Sequence, residues 1–203
     1  MKKRAYKKPD HFSRMARKQG YEARSVFKLE EVQRRCQLLR RGDFVVDLGC
    51  KPGSWSRFAL ETIGGSGRLV GIDLESISMP PGVFLEASVF DVTHEVLREH
   101  LGGPANVVLC DMAPSTSGHA LHDHVMQIEL AHRAFELACD LLVDGGNFVT
   151  KVFEGEDAPA FFKEVAACFE KTRRIRPKAV RKTSKEWFLV GLGYRGLPLD
   201  PGG

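Results

Sequence analysis

Short apolar runs alternate along this chain with longer segments of helical periodicity, and no other feature of the sequence constrains its fold as strongly. DFVVDLG, RLVGIDL, VFLEA, NVVLCD and NFVTKVF read as five strands, and TRRIRP and EWFLVGLG as two more. Val26, Leu29, Val32, Cys36 and Leu39 recur at helical spacing, which predicts a helix over about 23–37. Further helices are expected in GSWSRFALETI and near 93–101, 123–142 and 157–170, with Gly64-Gly65, Gly102-Gly103 and Asp144-Gly145-Gly146 as breaks. Strands alternating with helices predict an α/β fold with a mostly parallel sheet. Continuous apolar strands predict that both sheet faces are covered. Right-handed crossovers then make it a doubly wound, Rossmann-like, seven-stranded sheet with helices on both faces. Residues 1–22 form a basic arm, of which 1–20 have little apolar periodicity and are expected to be irregular and mobile; 23–194 form the domain; the Gly/Pro-rich 195–203 form a flexible tail.

The 203 residues suit one domain with enough core to need no disulfides. There is no apolar run of ~18 residues, so no membrane span is expected. The first residues, MKKRAYKKPDHFSR, are basic without an apolar stretch behind them, which fits a cytoplasmic protein better than a secretory signal. Cys36, Cys50, Cys110, Cys139 and Cys168 make no C-x-x-C pair and read as reduced, buried hydrophobes. The net charge of +4 conceals an asymmetry. Residues 1–24 carry nine Lys/Arg against two acids, and 171–185 carry eight against none, so the rest of the chain is acidic. Clustered positive charge on an acidic body favours a phosphate-backbone partner, against the plainer reading of a solvated tail and turn.

Ligands of doubly wound sheets sit at the carboxyl ends of the strands. That rule selects Asp47-Leu48-Gly49, Asp73, Asp91, Asp111 and Lys151. The first strand runs into Gly49-Cys50-Lys51-Pro52-Gly53-Ser54-Trp55, a glycine-bearing turn into a helix. It is neither G-x-G-x-x-G nor a phosphate-binding P-loop. An Asp-x-Gly-x-x-x-Gly turn with an acid ending the next strand suits an adenosyl cofactor without a pyrophosphate, although an ordinary glycine turn has the same look. Lys151 stands out independently, because a charge inside NFVTKVF is unusual for a buried parallel strand.

SVFKLEEV, VVDLGCKPGSWS, LVGIDL, LCDMAPSTSG, DGGNFVTKVFEGE and RKTSKEWFLV together resemble the FtsJ/RrmJ family of RNA ribose 2′-O-methyltransferases, over about residues 13–194. The resemblance implies a Rossmann-like methyltransferase fold, S-adenosyl-L-methionine as cofactor, and a catalytic Lys28-Asp111-Lys151-Glu186 tetrad. Lys151 would be the general base that takes the hydroxyl proton, which a lysine can do only when its pKa falls from ~10.4 towards neutrality. Lys28 would be the second cation, Asp111 would orient Lys151 near the transferring methyl, and Glu186 would hold the second lysine. Asp47, Gly49, Gly53, Trp55, Asp73, Asp91 and Asp111 would bind the cofactor, with Ser88 the competitor of Asp91 for the adenine. The implied substrate is a uridine of large-subunit ribosomal RNA, free or in the ribosomal subunit, with tRNA as the alternative and a monomer as the acting form. Lys51 and Ser115 depart from the family pattern; Lys51 would face the methionyl carboxylate or RNA phosphate.

His119, His122, His124 and His132 cluster after the Asp-Met-Ala-Pro element, but His122-x-His124 is too close for one helix face and has no Cys partner, so no metal is expected. Tyr6, Phe12 and Tyr21 interleave with basic residues and either stack on RNA bases or pack the arm onto the body. An RNA-binding module with a vestigial pocket is the non-enzymatic alternative, and donor-induced thermal stabilisation separates the two.

Overall fold

The structure, a computed structural model, describes residues 10–114 and 120–197. Tyr6, Ser115, His119 and residues 198–203 lie outside them. The elements in chain order are α1 (His11–Lys18), α2 (Val26–Cys36), β1 (Phe44–Leu48), α3 (Ser54–Ile63), β2 (Arg68–Asp73), β3 (Val83–Glu86), α4 (His94–Leu101), β4 (Ala105–Cys110), α5 (Ala120–Leu141), β5 (Leu142–Phe153), α6 (Ala158–Cys168), β6 (Phe169–Ile175) and β7 (Glu186–Tyr194). The seven strands form one sheet in the order β3-β2-β1-β4-β5-β7-β6. β1 to β5 pair in parallel, and β7 enters antiparallel between β5 and β6.

Successive side chains of a strand point to opposite faces, so each central strand feeds two cores. On one face Val45, Leu69, Val107, Leu109, Val149 and Phe188 pack against Leu29 and Val32 of α2 and Trp55, Ala59 and Ile63 of α3. On the other, Val46, Ile72, Val108, Phe148 and Leu189 pack against α4, α5 and α6 through Leu97, Phe135 and Phe161. Fully burying side chains of this size stabilises by about 1.5–3 kcal/mol each, which is why apolar residues dominate both faces of the central strands.

Two local readings of the sequence are corrected. From Asp10 on the arm is not irregular: Asp10 caps α1 by accepting from the Ser13 amide at 2.8 Å, and Arg17 and Lys18 lie in its last turn, where the helix dipole favours cations. Phe12 and Met15 pack with buried Ala16, Val26, Phe27 and Ala179, and Tyr21 donates to Glu61 at 2.6 Å while the Arg57 guanidinium lies over its ring. These two aromatics therefore bind the arm to the body. The fifth strand also begins earlier than Asn147. Leu142 already pairs with Ala105, and the Asp144-Gly145-Gly146 stretch is taken up by a register shift before Asn147 pairs with Val107. At the other end, Arg195 is fastened by its amide to the Cys168 carbonyl and by its guanidinium to that of Phe169.

Candidate active site

Alternation along the strands assembles the site. Leu109, Val149 and Phe188 belong to the core on the α2 side, so the residues two places away (Asp111, Lys151 and, at the start of β7, Glu186) face the same way. β7 is antiparallel, so its first residue lies against the last of β5: Phe153 pairs with Glu186 and Lys151 with Phe188. α2 crosses this face and supplies Lys28. The four residues meet. Lys151 Nζ donates to the Asp111 carbonyl at 2.6 Å and to its Oδ1 at 3.1 Å. Lys28 Nζ is 2.6 Å from Glu186 Oε1 and 3.7 Å from Asp111 Oδ1, and lies 5.6 Å from the centre of the Phe188 ring. Glu186 is framed in turn. The Ser184 hydroxyl donates to its Oε2 at 3.0 Å, and Arg176 donates to the carbonyls of Ser184 and Glu186.

Lys28 and Lys151 are only 8% and 5% exposed. Burying an ammonium group costs several kcal/mol even after relaxation, and pairing it often does no better than break even. Two buried lysines sharing one carboxylate at the ends of strands are therefore a poor device for stability and a suitable one for handling a proton.

Beside the tetrad a cavity of about 500 Å³ opens at the carboxyl ends of β1, β2 and β4, within the range of small-molecule sites. Its walls include Gly49, Asp73, Leu74, Ser88, Phe90, Asp111, Met112 and, from α5, Met126 and Leu130. Asp111 is common to cavity and tetrad. The Asp73 carboxylate is held by the backbone amides of Lys51 and Glu75 at 3.0 and 3.2 Å. Gly49 has φ +76°, and a Cβ there would stand 2.4 Å from Met112 Cγ and 3.2 Å from its Cα, so only glycine lets β1 and the segment after β4 close at this end of the cavity.

The other expected cofactor residues are placed differently. Asp47 is fully buried behind the cavity, close enough to Asp73 and Asp111 to feel both charges; burial pushes its carboxyl up to about 7, against the Ser56 hydroxyl that donates to it at 2.6 Å. Gly53 precedes α3 with φ +105° and does not reach the cavity wall. Trp55 lies on the α2 face, packed on Phe188, where its indole N–H donates to the Ser25 carbonyl at 2.8 Å and anchors the start of α2. Asp91 is exposed and off the wall, whereas Ser88 is on it. Lys51 pairs with Glu75. Sequence reasoning passed over Leu74 and Phe90, which are 72% and 53% exposed although large and apolar. Their readable signal was position, directly after the Asp73 strand end and between Ser88 and Asp91. Of the histidines, His124 lies 3.3 Å from Asp157, and His132 packs on Phe161 and faces Glu164.

The fold superposes on a protein from Plasmodium falciparum, assigned as a ribosomal RNA methyltransferase, with a TM-score of 0.77 at 23% identity, covering 87% of this chain and 100% of that one. That likeness shows the fold. The chain belongs to the FtsJ-like methyltransferase family, whose pattern it matches over residues 21–194. It is similar to the ribosomal RNA large subunit methyltransferase E of Desulfosudis oleivorans, 44% identical over 93% of this chain and 92% of the relative. It is also similar to the protein of that name from Sorangium cellulosum, 45% identical over 94% and 90%. Among the described residues no helix is long and apolar enough to cross a membrane.

Proposed function

We propose that the protein methylates a ribose 2′-hydroxyl of large-subunit ribosomal RNA, at a uridine, using S-adenosylmethionine, and that it acts as a cytoplasmic monomer. The observation that carries this reading is the buried Lys151 amine, fastened to both the carbonyl and the carboxylate of Asp111 at the edge of the cavity. The relatives named above support the substrate class. All five cysteines are free, which suits a reducing compartment.

The cavity suits the cofactor. Asp73 and Asp111 give its wall negative charge, as a ligand carrying a sulfonium and an ammonium requires, and Leu74 and Phe90 offer apolar faces to an adenine. When bound, S-adenosylmethionine supplies an electrophilic methyl group. Asp73 would hold the ribose hydroxyls of the cofactor and Ser88 the adenine edge. The chain's remaining task is to position a weak nucleophile and remove one proton. Lys151 is the base that takes the 2′-hydroxyl proton. Asp111 keeps its amine aimed, and Lys28, anchored by Glu186, holds the hydroxyl oxygen in line.

The test is methylation with labelled S-adenosylmethionine on ribosomal subunits, free ribosomal RNA and tRNA, followed by mapping of the methyl. Lys151→Ala should lose about 10²–10⁴-fold in rate while still being stabilised thermally by the cofactor. Wild-type rates for Lys151→Ala at saturating cofactor and RNA would remove Lys151 as the base. A methyl mapped to a base rather than a ribose, or to tRNA alone, would overturn the proposed product.

A further inference from the structure

β4 ends at Cys110, which pairs with Thr150, and the chain then turns away at Asp111 to offer its carbonyl and carboxylate to Lys151. β5 continues to Phe153. Backbone groups of alternate residues in a strand face the same neighbour. The Lys151 carbonyl and the Phe153 amide therefore both point to where β4 would have continued, and neither has a backbone partner there; the Thr150 hydroxyl reaches the Lys151 carbonyl only at 3.4 Å. The side chain of Gln127, on α5 and 1% exposed, occupies that place. Its Nε2 donates to the Lys151 carbonyl at 2.6 Å, and its Oε1 accepts from the Phe153 amide at 2.9 Å. One carboxamide thus substitutes for the residue of β4 that would have lain opposite Val152, making both ladder bonds.

We propose that Gln127 is a positioning residue for the reaction: it fixes the end of β5 in register and thereby holds Lys151 against Asp111, and Phe153 opposite Glu186. The proposal rests on the reading of Lys151 as the base. Gln127 is also placed to link this end of the sheet to the cofactor, because its helix lines the cavity with Met126 and Leu130. An amide suits the position because it presents one donor and one acceptor without charge, whereas a carboxylate has no donor for the Lys151 carbonyl.

The experiment compares Gln127→Ala, Gln127→Glu, Lys151→Ala and the Gln127→Ala/Lys151→Ala pair, well below their unfolding temperatures, with rates normalised to the cofactor-binding fraction. Gln127→Ala should lower kcat on the order of tenfold, with cofactor affinity changed by no more than about twofold, since a small displacement of a base is costly to rate alone. In Gln127→Glu the introduced carboxyl can donate to the Lys151 carbonyl only while protonated, so its kcat relative to wild type should fall as pH rises from 6 to 9. The paired variant should be no slower than Lys151→Ala. A kcat within twofold of wild type in both Gln127 variants overturns the proposal, as does a loss carried wholly by cofactor affinity or an additional loss in the paired variant. If Gln127→Ala does not fold, the pH trend of Gln127→Glu decides alone. Activity retained by Lys151→Ala overturns the base itself, an outcome distinct from these.

Discussion

Asp47 shows how one side chain at the end of β1 ties the fold to pH. Its carboxyl is sealed from water, accepts one hydrogen bond from Ser56, and leaves Oδ1 without a partner. Burial raises it to about 7, from ~3.9 in the unfolded chain. Between those values the folded protein holds a proton that the unfolded chain has released, so this group's contribution to stability falls as pH rises through the window. Asp47→Asn removes the titration. Without cofactor, its thermal midpoint should gain on wild type as pH rises from about 4 to 7 and keep a constant lead above that. A lead that does not vary with pH would show that Asp47 is ionised throughout. At this scale Lys151 was the most legible residue, since a lysine in a core strand announces itself. Lys28 and Glu186 were not legible from their own surroundings: one sits on a helix and the other beside Lys185, both ordinary surface settings, and only the family resemblance singled them out. Gln127 escaped notice because its role depends on where a different strand stops.

Among the elements, α1 carries the clearest lesson. Phe12, Met15 and Ala16 have helical spacing, but over eight residues in a basic stretch the pattern is weak, and the N-cap pairing of Asp10 with Ser13 was the better signal. The long strands and helices were readable because their apolar runs are sustained. Their ends were less so: β5 starts early because Leu142 finds a partner in Ala105 despite the glycines that follow. α1 is held by a small apolar cluster, by Arg24 to Asp10 at 2.5 Å, and by Tyr21 to Glu61. Ala16 is wholly buried in that contact. Ala16→Glu should undock α1 alone. Tryptic cleavage at Arg17 and Lys18 should accelerate on the order of tenfold, with cofactor binding retained, as expected when a terminal element opens below the global unfolding free energy. Loss of cofactor binding in the same variant would show that α1 supports the whole domain.

On the scale of the whole molecule, the separation of charge read from the sequence persists in the fold. Arg181, Lys182 and Lys185 are exposed on the segment that leads into Glu186. Ribosomal RNA bound at the tetrad would meet them first. Replacing these three by alanine should weaken RNA binding and reduce the slope of log affinity against log salt by about 0.7–0.9 for each phosphate no longer neutralised. Cofactor affinity should stay as in wild type. An unchanged slope would place the RNA elsewhere.

The reversed strand has a consequence for the order in which the protein comes into being. Every wall of the cofactor cavity lies between Gly49 and Leu130, so that compartment is encoded well before the chain is finished. Glu186 opens β7, the last strand of the described sheet in chain order, and β7 must insert between β5 and β6 to reach its place. During vectorial synthesis the described residues that line the cavity are all made first, and the fourth member of the tetrad arrives only with β7. A nascent chain stalled before β7 would lack Glu186, so competence for the proposed transfer would require translation to have run through that strand.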